Sequence, residues 1–267
     1  MNTISRQIFA FAAIAMTIVA CKRDKEYDEG MASAESVTSF FEKSMAADEE
    51  SVMRGPGGGP CNPLDYLPAC VTVTESGVDY PKTITLDFGD GCTDPLGITR
   101  SGQLIISLTG DMIDEGSVRT VTFNDYSING HPISGSRVTT NTGTDGSGHP
   151  TFSRVVDVDI IRDGELFQRN MNETVTWLSG YDTEPCGDNI FGVTGSGVVI
   201  RPDGISVTRT IIEQLIMDGT CGYITQGVVE VERPIGTATI NFGDGTCDDI
   251  ATVTKPNGDI ITIELHP

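Results

Sequence analysis

The sequence predicts an all-β protein, an antiparallel meander of long hairpins forming a twisted sheet, a sandwich or an incomplete barrel, with one N-terminal helix. Three observations carry the prediction. Apolar and polar residues alternate with period two through most of the chain after Val71, which is the pattern of half-buried strands. Asn129-Gly130, Asp163-Gly164, Asp203-Gly204 and Asn257-Gly258 each separate two such runs, and these pairs accept positive φ cheaply, so they favour tight hairpins. One stretch also occurs twice. Thr83-Ile84-Thr85-Leu86-Asp87-Phe88-Gly89-Asp90-Gly91-Cys92 returns as Thr237-Ala238-Thr239-Ile240-Asn241-Phe242-Gly243-Asp244-Gly245-Thr246-Cys247. The flanks Gln103 to Leu108 and Asp259 to Leu265 also match, so the chain carries an internal repeat over about 71–109 and 225–265.

Residues 1–20 read as an export signal, with Arg6 followed by an apolar run from Ile8 to Val19 that is short for a bilayer span. Cys21 follows Ile18-Val19-Ala20 directly. This ending resembles a bacterial lipoprotein signal, in which the cysteine is lipidated and becomes the first residue of the mature chain. Residues 21–60 are then a lipidated tether, a helix and a linker. Lys22 to Glu29 is charged throughout and has nothing to bury. Met31 to Arg54 has helical spacing, with Val37, Phe40, Phe41 and Met45 on one face and Glu35, Glu42, Lys43 and Asp48 elsewhere. Such a helix docks on the β domain or forms a stalk. Gly55-Pro56-Gly57-Gly58-Gly59-Pro60 ends it.

The β domain is expected over 61–267. Strands are predicted at about 71–75, 82–88, 97–100, 103–109, 118–129, 132–140, 151–161, 166–178, 190–200, 205–217, 223–232, 237–242, 250–254 and 259–265. Phe167, Met171, Val175 and Trp177 share one face of their strand. Phe152, Val156, Val158 and Ile160 share one face of the strand before it, interrupted by Arg154. The two repeat copies lie near the ends of the domain and are expected to pack about a pseudo-twofold axis.

Six of the seven cysteines remain once Cys21 is assigned to the lipid. In an exported chain an even remainder implies disulfides rather than thiol chemistry. Hairpin symmetry places Cys70 opposite Cys92 and Cys221 opposite Cys247, leaving Cys61 with Cys186. A second set, Cys186–Cys221 with Cys61–Cys70 and Cys92–Cys247, also satisfies hairpin symmetry. Equivalent bonds in equivalent copies favour the first.

Without the signal the chain holds 16 cationic against 38 acidic residues, a formal charge of −22. A surface so acidic repels nucleic acid and offers no basic patch interleaved with aromatics. No nucleic-acid partner is expected. The Phe-Gly-Asp-Gly segments read first as turns. A calcium reading would use Asp87, Asp90 and Asp94 in one copy and Asp244, Asp248 and Asp249 in the other, although their spacing is not that of an EF-hand loop. Beyond that possible ion, no cofactor is expected.

No catalytic residue is assigned. The chain has no Gly-x-Ser-x-Gly elbow and no His-Glu-x-x-His helix, and each of His131, His149 and His266 precedes a proline. Trp177, the one tryptophan, falls on the apolar face and reads as core rather than as a sugar-stacking platform.

The lipoprotein-type signal, the charged tether and the paired motifs Phe-Gly-Asp-Gly-Cys and Phe-Gly-Asp-Gly-Thr-Cys together resemble an uncharacterised family of Bacteroidota outer-membrane lipoproteins. The resemblance implies a lipid-anchored, disulfide-stapled β domain at the outer membrane, periplasmic or surface-exposed, with an unknown protein or glycan ligand. It implies no activity. The alternative is a secreted hydrolase that acts on glycans through a carboxylate pair.

Overall fold

The computed structural model describes residues 67–94, 97–183, 188–221 and 223–265. The export signal, Cys21, the tether, the helix expected at 31–54, the linker, Cys61, Cys186 and His266 lie outside the described residues. The chain divides into two units, Met1–Glu42 and Lys43–Pro267, and every described residue belongs to the second.

The described residues are 67% strand and contain no helix. The strands are β1 Thr72–Glu75, β2 Lys82–Asp87, β3 Cys92–Thr93, β4 Thr99–Leu108, β5 Val118–Ile128, β6 His131–Thr144 and β7 Pro150–Arg162, followed by β8 Glu165–Ser179, β9 Ile190–Ile200, β10 Ser206–Asp218, β11 Ile224–Arg233, β12 Gly236–Asp244, β13 Ile250–Thr254 and β14 Ile260–Glu264. They form one open antiparallel sheet in chain order, β1-β2-β4 and onward to β14, with the short β3 set beside β4. The meander expected from the hairpin signals is therefore present as one continuous sheet.

Two strands differ from the expectation. The runs at 97–100 and 103–109 are a single strand, β4, bent by a register shift at Gly102. Gly102 has φ +74°, and a Cβ there would run into the Asp125 carbonyl, so only glycine lets the strand pass. β3 is too short to leave a periodic signature.

The Asx-Gly turns form as their chemistry dictates. Asn129 and Asp163 take positive φ beside Gly130 and Gly164, which is the conformation a two-residue hairpin requires.

The sheet path has thirteen strands. Strands alternate in direction along a meander, so β1 and β14 run the same way. An antiparallel ladder cannot join them, and the sheet stays open. The two repeat copies accordingly stand at its opposite edges, β1-β2-β4 at one and β11 to β14 at the other, not hydrogen-bonded to each other.

The core lies on one face. Two rows of directly opposed residues cross the sheet there. The first runs Lys82, Leu108, Arg119, Thr139, Arg154, Glu173, Gly195, Ile211, Val229, Ile240, Val253. The second runs Ile84, Ile106, Val121, Arg137, Val156, Met171, Gly197, Arg209, Val231, Ala238. Ile84, Ile106, Leu108, Val229, Ala238 and Val253 are fully buried. The opposite face is wet and carries Asp157, Asn170, Asn172, Glu230 and Glu232.

Candidate functional site

The buried face is also cationic. Each of β2, β4, β5, β6, β7, β8, β10 and β11 places one basic residue on it: Lys82, Arg100, Arg119, Arg137, Arg154, Arg169, Arg209 and Arg233 respectively. The other described basic residues, Arg162, Arg201 and Lys255, sit at hairpin ends. Lys82, Arg100, Arg119, Arg137 and Arg169 are buried, Arg119 to 0% exposure, whereas Glu173 is the one buried carboxylate among the described residues.

Glu173 is the centre of this face. Arg154, directly opposite on β7, donates from Nε to Glu173 Oε2 at 2.8 Å and approaches the same oxygen with Nη2 at 2.6 Å. Burial pushes the carboxyl up, but the charges of Arg154, Arg169 and Arg209 outweigh it and hold Glu173 below the usual glutamate value.

Arg209 comes from β10, one strand beyond β9. The intervening β9 positions are Gly195 and Gly197, so no side chain stands between them. A Cβ on Gly197 would overlap Met171 Sδ and the Asn170 carbonyl.

Further along, Arg119 Nη2 donates to Thr139 Oγ1 at 3.4 Å across β5 and β6. At the β3 corner, Arg100 Nη1 donates to Asp94 Oδ2 at 2.8 Å, and Asp94 Oδ1 accepts the Ile98 N–H at 2.9 Å. Planar guanidiniums at this density recognise carboxylate or phosphate oxygens.

Comparison with protein-family models, with curated proteins and with solved structures finds no match. The site is therefore read from its own chemistry.

The residues singled out in the sequence fall elsewhere. Cys70–Cys92 and Cys221–Cys247 are both disulfides, which excludes the rival Cys186–Cys221 set. The two cysteines of the third expected bond, Cys61 and Cys186, lie outside the described residues.

The six candidate calcium aspartates lie at strand ends and in the segments beside them. Asp87 Oδ1 accepts the Gly89 N–H at 2.8 Å while Oδ2 accepts Gln103 Nε2 at 2.7 Å. Led by the Gln103 bond, these contacts hold its carboxyl below the ordinary range. In the second copy Asn241 Oδ1 accepts the Gly243 N–H at 2.8 Å, so the Asx turn recurs at the equivalent position although the residue is an amide. Asp244 accepts the Thr246 hydroxyl at 2.8 Å and its N–H at 3.3 Å, which lowers its carboxyl. Asp248 Oδ1 accepts the Ile250 N–H at 3.1 Å, and the Asp249 carbonyl accepts the Leu265 N–H at 2.6 Å. Asp90 is exposed, and Asp94 is the Arg100 partner. Among the described residues no three acidic, histidine or cysteine side chains gather in a metal-holding group.

Trp177 is core, as expected, at 4% exposure. Its Nε1 donates to Asn189 Oδ1 at 3.1 Å, and its ring packs against Tyr181 and Phe191.

The arginine row itself was not anticipated. Its trace in the sequence is an arginine at apolar parity in one strand after another, as in Arg119-Thr120-Val121, Arg169-Asn170-Met171 and Val207-Thr208-Arg209-Thr210-Ile211. Arg154, which interrupts the apolar alternation of β7, is one member of the set.

Proposed function

We propose that this is a lipid-anchored protein of the cell envelope whose β unit serves as a binding or structural module at the outer membrane or cell surface. The observation that carries the proposal is the disulfide pairing at equivalent places in both repeat copies. Stable bonds of this kind belong to oxidising compartments, and the lipoprotein-type signal ending at Cys21 supplies the route there. The acidic wet face and the Asx turns at both edges suit a solvated module held together by staples rather than a catalytic cleft. The hydrolase alternative needs two carboxylates at a set separation, and only Glu173 is a buried carboxylate among the described residues.

The test is fractionation of cells expressing the full chain or its Cys21→Ser variant, with labelled fatty acid. The native chain is expected to carry label and to sediment with membranes, and the variant to do neither. An unlabelled native chain recovered in the soluble fraction defeats the anchored reading. Proteolysis of intact cells then separates surface exposure, where the domain is shaved, from a periplasmic placement, where it is spared.

A further inference from the structure

The sheet ends at β14 in an edge whose backbone is self-complementary. The Lys255 N–H donates to the Asp259 carbonyl at 2.8 Å and the Leu265 N–H to the Asp249 carbonyl at 2.6 Å, one bond at each end of the β13–β14 ladder. Opposed pairs in an antiparallel ladder alternate between bonded and unbonded, so these two bonds fix the phase. Ile261 and Ile263 exchange bonds with Val253 and Ala251, their direct partners on β13. Ile260, Thr262 and Glu264 therefore turn their N–H and C=O groups away from β13. Among the described strands β14 pairs with β13 alone.

This edge is also built to be joined. Lysine, proline and bulges are common means of blocking an edge strand, and β14 has none of them. Ile260 is 69% exposed, and Ile250 on β13 beside it 45%. The opposite edge is poorer. The Ser76 N–H donates to the Thr83 carbonyl at 2.9 Å, so by the same alternation only Val73 and Glu75 of β1 face outward, and Glu75 lies 3.8 Å from Lys82 Nζ in an ion pair.

We propose that β14 is a dimerisation edge that takes β14 of a second copy of this chain, antiparallel and centred on Thr262. The outward set is symmetric about that residue. Thr262 then faces its own counterpart, and Ile260 faces Glu264 of the second copy, so the N–H and C=O of all three outward residues find partners. Any other register leaves part of the set without a bond. On the core face Ile261 meets Ile263 of the second copy. On the wet face Glu264, the one charged residue of β14, lies between its own Ile250 and Ile260 of the second copy. No like charges stand opposed, which is the condition for self-association in a chain of formal charge −21. A twofold axis normal to the sheet keeps both cores on one side, and such an isologous contact closes at two copies.

Sedimentation velocity over a concentration series tests the proposal on the mature-length chain, residues 21–267 carrying Cys21→Ser. A concentration-dependent shift from monomer to dimer is expected. Thr262→Pro removes an outward N–H but no bond to β13, a place where an edge strand tolerates proline, so this variant is expected to keep the native circular dichroism and lose the dimer. Should it fail to fold, Thr262→Lys, which sets two cations across the axis, is expected to give the same loss. A chain that stays monomeric throughout the series overturns the proposal, and so does a dimer that survives these substitutions. Species that grow beyond the dimer overturn it as well, because they would join β14 of one copy to β1 of the next. Hydrogen exchange supplies the last arm. The amides of Ile260, Thr262 and Glu264 are expected to exchange freely in dilute solution and to gain protection as the dimer forms; protection already complete in the monomer would mean that another part of the same chain covers the edge, and overturns the proposal.

Discussion

Arg154 and Glu173 stand directly opposite one another on β7 and β8, their side chains joined through a single carboxylate oxygen, Oε2, at 2.6 Å from Nη2 and 2.8 Å from Nε. The pair is buried on the Glu173 side and half-buried on the Arg154 side. Breaking such a pair by removing one partner costs about 3–5 kcal/mol, so Glu173→Gln is expected to lower the denaturation midpoint strongly.

The same pair predicts a pH dependence. The Glu173 pKa is lowered on folding, so its contribution is fully present above the unfolded value and disappears as pH falls through the lower folded value. The stability gap between the native chain and Glu173→Gln should stay constant above pH 4.5, the ordinary glutamate value, and shrink below it. Denaturant titrations at a series of pH values read this directly, and a gap that widens in acid would contradict the assignment.

The two disulfides close loops of similar length, with sequence separations of 22 and 26. Loop-closure entropy changes slowly with length, so the double replacements Cys70→Ser with Cys92→Ser, and Cys221→Ser with Cys247→Ser, are each expected to cost on the order of 2–4 kcal/mol. Urea unfolding of the two variants should give similar losses. A much smaller loss at one edge would mark a repeat copy that holds together without its staple.

Gly197→Ala places a methyl against Met171 and the β8 backbone, directly over the path that Arg209 takes toward Glu173. Overpacking of this kind costs about 1–3 kcal/mol. Gly146→Ala, with no atom near its added Cβ and no positive φ, is the matched control and should stay within about 0.5 kcal/mol of the native chain. Thermal melts of the two variants give the comparison.

Asp87, just before the first Phe-Gly-Asp-Gly segment, and Asp244, within the second, already accept turn hydrogen bonds. Melting in the presence of calcium or of chelator is therefore expected to give one midpoint, whereas a calcium-dependent rise would restore the ion reading, because any ligand that prefers the native state raises it.

Most of the strand positions were legible from period-two alternation and Asx-Gly punctuation, because each long strand of this meander buries only one face. Two of the disulfides were legible because the repeat imposes the same bond twice. The flank match between Gln103–Leu108 and Asp259–Leu265 was misleading. Leu86 opposes Leu104 on β4, while its equivalent Ile240 opposes Val253 on β13, so β4 corresponds to β13 and not to the strand that the sequence match selects. Similar composition on neighbouring edge strands obscures which one sits beside the motif. The arginine row escaped notice for a different reason. Arginine counts as polar in any hydropathy pattern, so a guanidinium at an apolar position reads as a defect of the strand and not as a member of a set.

The segregation of charge between the two faces also acts as an error check on folding. A slip of one residue in the pairing of any long strand exchanges its faces. In β7 such a slip would take Arg154 and Val156 to the wet face and bring Asp157 and Asp159 inward; in β11 it would bury Glu230 and Glu232. An aliphatic strand that slips loses burial, but here the slipped strand would also set acids into the core. Misregistered meanders are thus penalised twice, and the long strands can carry many near-equivalent Thr and Val positions without losing their place.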